Sequence, residues 1–281
     1  MTLSEMKRVL ASRDIRLTKS LGQNFLHDAN QLRRIADAAD LGPQDKVLEI
    51  GPGLGSLTSL LLTQAGEVVA IEKDARLVKA LRENAMTPSK RETGGTPVLH
   101  LVHADALEYL RENSRDWRGW KMVSNLPYSV ASRILVELAQ SPRGPALVVA
   151  TLQIEVAQRL MAAPGSPDYG LLTLLVQLDY EPFATFKIPA SCFFPEPDVD
   201  SACVSLARRP EPLLAEGERL IFTMIVKRAF SQRRKMMLKL LKQDWPVEML
   251  EKQFDRLGLS HQVRAEEVGL KQFVEFARGL V

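Results

Sequence analysis

The chain has 281 residues, and 46% of them are hydrophobic, enough for one sizeable core with a small second domain attached. Its net charge is only +3, so the overall balance singles out no class of partner; local charge has to be read instead. No apolar run approaches the roughly 20 residues that span a bilayer, so no membrane association is expected. Two cysteines, Cys192 and Cys203, are too few for a disulfide framework, and no CxxC pair suggests zinc. Residues 1–19 lack the apolar stretch of a secretory signal, and Glu5 and Asp14 count against a mitochondrial presequence. The expectation is a cytoplasmic protein.

Strand and helix signals alternate along most of the chain. Asp28 is placed to cap a helix over 29–40, where Leu32, Ile35, Ala36 and Ala39 keep helical spacing. Gly42 and Pro43 end it. A buried-strand pattern follows at 46–50, then a glycine-rich turn, a helix at 57–64, a strand at 67–71 and a helix at 76–84. Residues 87–97 are polar, with Pro88, Gly94, Gly95 and Pro97, and read as an exposed loop. Strands are expected near 98–102, 121–124 and 146–152, with helices between them. Such repeated units imply a mostly parallel sheet covered on both faces. His100 and His103 lie three apart on a strand, so they point to opposite faces, and no metal site is expected. Two strands without a long helix between them, at 179–188 and 202–207, suit an antiparallel pair at the sheet edge. Beyond Pro210 the chain reads as helix, at 216–242, 247–257, 265–267 and 271–279. The expected division is 1–209 and 210–281.

The first strand runs into Glu49-Ile50-Gly51-Pro52-Gly53-Leu54-Gly55. Glycines at this spacing let the backbone turn sharply and approach a ligand closely. Dinucleotide enzymes use GxGxxG to hold a pyrophosphate; GxGxG after an acidic residue suggests a ligand without one. Glu72 closes the next strand, where a carboxylate can accept two ribose hydroxyls. Asp105 follows the third strand and is placed to meet an adenine amino group. Capping of helices is the competing reading for both acids.

Ser124-Asn125-Leu126-Pro127-Tyr128 follows the fourth strand. Ligands of parallel sheets bind beyond the C-terminal strand ends, which puts this segment beside the cofactor. The Asn125 side-chain oxygen is an acceptor that cannot ionise. Pro127 stiffens the turn and biases Leu126 away from helix, so a backbone carbonyl can be aimed. Tyr128 offers a stacking face. Two acceptors on one amine would orient its lone pair toward a methyl donor, with alignment supplying much of the rate. Read alone, the segment is also compatible with a plain turn.

From Lys227 to Lys242 there are seven basic residues and no acidic one: Lys227, Arg228, Arg233, Arg234, Lys235, Lys239 and Lys242. A second basic run comprises Lys7, Arg8, Arg13, Arg16 and Lys19. Either suits a polyanion, or is a solvated helix face.

Taken together, the LGQNFLH block at 21–27, the glycine loop, Ile71-Glu72, Asp105-Ala106, Asn125 to Tyr128, FFPEPDVDSA at 193–202 and FSQRRK at 230–235 resemble the small-subunit (16S-type) ribosomal RNA adenine dimethyltransferases. The resemblance spans about residues 19–240, and its Asn-Leu-Pro-Tyr and Gly-Gln-Asn-Phe-Leu blocks are specific together. It implies a Rossmann-like class I methyltransferase fold, an α/β domain with a mostly parallel seven-stranded sheet, followed by a small helical domain that contacts RNA. It implies S-adenosylmethionine as cofactor, bound by Gln23, Asn24, Leu26, Gly51, Gly53, Glu72, Asp105 and Asn125. Methyl transfer would involve Asn125, Leu126, Pro127 and Tyr128, with Phe194 as the second stacking aromatic. The RNA contacts would be Lys227, Arg228, Arg233, Arg234 and Lys235. The implied partner is small-subunit ribosomal RNA within an immature 30S subunit, and the protein is expected to be a monomer. Ile154 stands where the family commonly has lysine, Glu196 and Asp198 add acid to the proline-rich block, and 87–97 resembles an insertion. These departures bear on RNA grip, since fewer cations mean weaker phosphate binding.

The nearest rival is a large-subunit RNA methyltransferase of the antibiotic-resistance type, disfavoured by Leu126 and the Phe-Pro-x-Pro block. DNA adenine methyltransferases usually carry two prolines before the aromatic, and this chain has Leu126-Pro127. Organellar transcription factors share the fold but need a presequence. A ribosome-assembly factor that mainly binds requires only the basic surface. A nicotinamide oxidoreductase is disfavoured by the glycine spacing.

Overall fold

The structure is a computed structural model that describes residues 1–15, 17, 22–85, 96–113 and 115–280. Arg16, Lys19, Leu21 and most of the 87–97 segment lie outside the described residues.

A seven-stranded sheet carries the first part of the chain. Its strands are β2 (Lys46–Ile50), β3 (Glu67–Glu72), β4 (Val98–His103), β5 (Trp120–Asn125), β6 (Leu147–Gln153), β7 (Tyr180–Ile188) and β9 (Ser201–Arg208), in the order β4-β3-β2-β5-β6-β9-β7. The pairs among β2 to β6 are parallel, and β9 runs antiparallel to β6. The two strands expected at the edge are neighbours there, with β9 inserted between β6 and β7. Val68 through Ile71 and Val148 through Leu152 are buried without alternation, so both faces of the sheet are covered, as a parallel sheet requires. The covering helices include α2 (Ala29–Asp37), α3 (Ser56–Gln64), α4 (Ala75–Ala85), α5 (Ala106–Glu112) and α6 (Ala131–Gln140). The Asp28 carboxylate accepts from the backbone of Asn30 and Gln31 and so starts α2.

An N-terminal helix not anticipated from the sequence, α1 (Leu3–Ser12), opens on a capping box of Thr2 and Glu5. It buries Met6 and Leu10 against Phe25, Leu54 and Leu77. A short ribbon joins β1 (Phe25–Leu26) to β8 (Phe193–Phe194), pairing Phe25 with Phe194.

The chain divides into two compact units, Met1–Ala157 with Pro182–Arg208, and Gln158–Glu181 with Arg209–Val281. The expected cut at 209 leaves 158–181 with the first part; the structure groups them with the C-terminal helices. Within that unit the Tyr169 hydroxyl donates to the Val268 carbonyl at 3.0 Å and Thr173 to the Arg159 carbonyl at 2.6 Å. The first of these joins residues far apart in sequence, so no local signal reveals it. The helix α7 (Ile154–Met161) follows β6, and the helices of the second unit include α8 (Leu171–Gln177), α9 (Glu216–Ala229), α10 (Met237–Leu241), α11 (Val247–Arg256) and α12 (Leu270–Arg278). The single helix expected over 216–242 is therefore broken after Ala229. Between Phe230 and Met236 no apolar residue exists to bury, and the Ser231 hydroxyl donates to the Arg228 carbonyl, so the polar run turns instead. Among the described residues no helix is long and apolar enough to cross a membrane.

Candidate cofactor and methyl-transfer site

The strand order reverses direction between β2 and β5, and a crevice at such a switch point is where open α/β sheets bind ligands. The two strands pair only as far as Leu48 and Met122. Beyond that they part, and the Ile50 amide donates to the Ser124 hydroxyl at 2.9 Å in place of a ladder bond. The glycine loop leaves β2 here and the Asn125 segment leaves β5. Gly51 and Gly53 have φ of +72° and +59°, the left-handed region that glycine enters without strain. A Cβ on Gly51 would lie 3.1 Å from Pro127 Cγ, and one on Gly53 would lie 2.7 Å from the Phe25 ring. The loop is thus wedged between the proline of one motif and the aromatic of another.

Beyond the strand ends opens a cavity of about 450 Å3, within the roughly 300–1,000 Å3 typical of ligand sites. Gln23, Asn24, Gly51, Gly53, Glu72, Asp105, Asn125, Leu126 and Pro127 all line it, so residues singled out from five separate stretches converge. Leu26, Tyr128 and Phe194 do not line it. Leu26 is buried in the core with Leu32 and Leu57, so any cofactor contact from it has to come from its backbone. Tyr128 is half-buried, its hydroxyl 2.6 Å from that of Ser201. Phe194 sits opposite Phe25, with the Lys7 ammonium 5.0 Å from its ring centroid.

The carboxylates are held differently. Glu72 is buried; one oxygen accepts from the Gly53 amide at 3.1 Å and the other from the Asp74 amide at 2.9 Å. It therefore ties the end of β3 to the glycine loop, and burial raises its pKa. Asp105 caps α5 through one oxygen and meets the Lys73 ammonium at 2.8 Å through the other, and this ion pair lowers its pKa. Capping and cavity lining, posed as alternatives by the sequence, coexist at Asp105. Glu49, under the loop, is 1% exposed; burial pushes its pKa up to about 8, and the Glu72 charge adds to the effect. The Gln23 amide donates to Asp74 at 3.0 Å.

Asn125 holds the informative geometry. Its amide nitrogen donates to the Asn24 carbonyl at 3.0 Å. That bond fixes which end of the amide is which. Its Oδ1 is shielded from solvent and has no hydrogen-bond partner among the described residues. A buried acceptor without a partner costs about 1–3 kcal/mol, and Asn125 Oδ1 is one of several such atoms among the described residues, with Glu49 Oε2 and Thr151 Oγ1. The sequence motifs do not include Lys73, Arg111, Ser129 and Arg133, which also line the cavity. Glu49 carries a signal, as an acid inside a buried-strand pattern.

The basic segment is placed in the second unit. Lys227, Arg233, Arg234 and Lys235 are exposed. Arg233 also donates to the Pro167 carbonyl at 2.6 Å, which steadies the turn. Arg228 differs from its neighbours, because its guanidinium is engaged by both oxygens of Asp244 and by Gln243. Glu196 and Asp198 are exposed, and Ile154 begins α7.

Residues 15–280 match the family profile described as ribosomal RNA adenine dimethylase. A Clostridium perfringens protein called ribosomal RNA small subunit methyltransferase A is 38% identical over 269 residues, covering 95% of this chain and 92% of its own length. Among solved structures, a dimethyladenosine transferase from Plasmodium falciparum superposes with a TM-score of 0.74 at 23% identity, covering 90% of this chain and 95% of the other, a likeness of fold. The 23S rRNA methyltransferase ErmE superposes with a TM-score of 0.69 at 29% identity, covering 91% of this chain and 99% of the other. With the profile matched over nearly the whole chain and converging motif residues at the sheet switch point, the chain belongs to the ribosomal RNA adenine dimethylase family.

Proposed function

We propose that the chain transfers methyl groups from S-adenosylmethionine to the N6 amines of two adjacent adenosines near the 3′ end of small-subunit ribosomal RNA, in the cytoplasm, during assembly of that subunit. The observation that carries this reading is Asn125 in the wall of a cavity of cofactor size, with its amide nitrogen fixed by Asn24 and its oxygen buried and unpartnered among the described residues.

The residues present fit the cofactor. Each Glu72 oxygen has one backbone donor and keeps lone-pair capacity for ribose hydroxyls. Asp105 stands where the adenine amine would lie, in competition with Lys73. Gly51 leaves room for the amino-acid end, and Gln23, Asn24 and Gly53 complete the wall. The bound cofactor supplies an electrophilic methyl group on a sulfonium.

Asn125 Oδ1 and the Leu126 carbonyl accept the two protons of the target amine. An adenine N6 lone pair is delocalised into the ring, and engaging both protons favours a pyramidal nitrogen aimed at the methyl. Pro127 stiffens the turn that holds these acceptors, and Gly51 abuts it. Tyr128 adjoins the cavity wall in sequence, and Phe194 is paired with Phe25, which lines it. These two rings are suited to hold a base extruded from its stack. Lys227, Arg233, Arg234 and Lys235 grip the phosphate backbone; Arg228 serves mainly to hold Asp244.

The test compares wild type with Asn125→Ala in single-turnover transfer to undermethylated small subunits, with cofactor affinity measured alongside. The variant is expected to bind cofactor within about tenfold of wild type while transfer falls at least about 100-fold, in line with the loss of a pre-aimed polar group. Wild-type-like transfer by the variant would refute the orienting role. A wild type that binds subunits and cofactor but transfers nothing would leave a binding role only.

A further inference from the structure

Among the cations in the wall of the cofactor cavity, Lys73 is tied to a carboxylate that the functional reading gives to the cofactor. It follows Glu72 at the end of β3, and its main chain is held. The His103 ring donates to the Lys73 carbonyl at 3.2 Å, and the next amide, that of Asp74, donates to Glu72 at 2.9 Å. Its side chain is 61% exposed, and the ammonium meets Asp105 Oδ2 at 2.8 Å. Asp105 Oδ1 already accepts from the Leu107 and Glu108 amides, at 2.9 and 3.3 Å. Oδ2 is therefore the oxygen left to meet a base amine, and Lys73 already holds it.

An ammonium on a carboxylate oxygen draws off its charge and repels the positive end of a second N–H donor. Each carboxylate oxygen has about two acceptor sites, so an amine can share Oδ2 with Lys73, but it meets a weakened acceptor. That acceptor recovers when the ammonium leaves, and a second carboxylate is at hand. Glu108, in the first turn of α5, lines the same cavity and has no ion-pair partner among the described residues. The pKa of Lys73 is raised by Asp105 first and by the Glu108 charge as well, while Arg133 on α6 opposes them. Glu108 is thus in range to take the ammonium, with Arg133 repelling it from the opposite helix. Because the Lys73–Asp105 pair is exposed on the lysine side, parting it costs little.

We propose that Lys73 guards the base-recognition end of the cofactor cavity, resting on Asp105 in the free protein and passing to Glu108 when a purine amine engages Asp105. The proposal rests on the S-adenosylmethionine-dependent function argued above, and it adds a residue that sets how tightly and how selectively the base is held. A purine without a 6-amine gains nothing from Asp105 and leaves the ion pair in place.

Binding of S-adenosylhomocysteine, and of its analogue with hydrogen in place of the purine 6-amine, is measured by calorimetry on full-length wild type, Lys73→Met and Lys73→Arg. Lys73→Met keeps an aliphatic stem and removes the charge. It is expected to bind S-adenosylhomocysteine about two- to fivefold more tightly than wild type, the scale of one exposed ion pair, and to leave the analogue's affinity unchanged. Lys73→Arg, which can still meet Asp105, should stay near wild type. High salt should narrow the gap between Lys73→Met and wild type, because it screens the exposed pair. Equal or weaker binding of S-adenosylhomocysteine by Lys73→Met overturns the guard. An equal gain for both ligands also overturns it, since the effect would then lie away from the amine. If wild type binds neither S-adenosylmethionine nor S-adenosylhomocysteine, the functional reading is overturned and the guard with it.

Discussion

On the proposed function, the cavity of the first unit and the basic turn at 231–235 of the second solve opposite problems. Around the cavity the groups picked out by the motifs are held in place. Glu72 has two backbone donors, Gly51 abuts Pro127, and Asn125 is anchored to Asn24. In the turn, Arg234 and Lys235 stand in solvent, and Arg233 has a single carbonyl anchor. Chemistry that depends on aiming one amine demands rigidity, because a misplacement of about 1 Å can cost roughly 100-fold. A grip on a phosphate backbone gains from charge and adaptability, since counterion release does not require one fixed geometry. Substitutions in the cavity should therefore act on turnover or cofactor affinity, and substitutions in the turn on salt-dependent binding.

After Asn125→Ala, the largest effect is expected at Tyr128. Tyr128→Ala should lower single-turnover transfer roughly 5- to 150-fold, the equivalent of about 1–3 kcal/mol of base stacking. Tyr128→Phe loses only the bond to Ser201 and should transfer at close to the wild-type rate. Equal losses in both variants would mean the hydroxyl, not the ring, matters. Next comes Gly53→Ala. At φ +59°, with Phe25 only 2.7 Å from the new carbon, it should weaken cofactor binding at least about fivefold, given roughly 1–3 kcal/mol of backbone strain. Calorimetric titration reads this directly, and unchanged affinity would mean that the loop does not hold the cofactor.

A smaller, several-fold effect is expected from reversing both Arg233 and Arg234 to Glu. RNA binding should weaken and its salt slope flatten by roughly 0.7–0.9 for each phosphate no longer neutralised, with cofactor affinity unaltered. Arg228→Ala should barely move the slope, because that guanidinium is already engaged by Asp244. If Arg228→Ala flattened the slope as much as the double reversal, the distinction drawn among these cations would fail.

A different kind of effect concerns pH. The folded chain holds a proton on Glu49 up to about pH 8, whereas the unfolded chain gives it up near the ordinary value of 4.5. The stability this contributes is full below 4.5 and is lost as pH rises toward 8. Glu49→Gln cannot ionise, so its melting temperature should gain on that of wild type between about pH 5 and pH 8. Each roughly 1 kcal/mol corresponds to about 2–4 °C in a domain of 150–250 residues. A gap independent of pH would show that Glu49 is not held neutral.

Much of the cavity is legible in the sequence because its chemistry depends on short motifs at strand ends. The strand at 46–50 is β2 to the residue, and each acid lies where strand periodicity places it. Three features escape such a reading. The capping box of α1 is written in Thr2 and Glu5, but the basic run beside it dominates the pattern. The break at Phe230 is hidden because basic residues are good helix formers, and only the absence of an apolar anchor speaks against a continuous helix. The grouping of 158–181 with the C-terminal helices depends on bonds such as Tyr169 to Val268, 99 residues apart, which no local pattern encodes. Arg111 and Arg133 reach the cavity for the same kind of reason, since only packing brings α5 and α6 to its rim.

The most direct measurement is transfer of labelled methyl groups from S-adenosylmethionine to undermethylated small subunits, large subunits and duplex DNA in parallel, with the modified nucleoside identified by mass. The expected result is N6,N6-dimethyladenosine from small subunits alone. Label confined to large-subunit RNA, or to DNA, would contradict the substrate assignment while leaving the methyl-transfer geometry standing; no label in any substrate would contradict both.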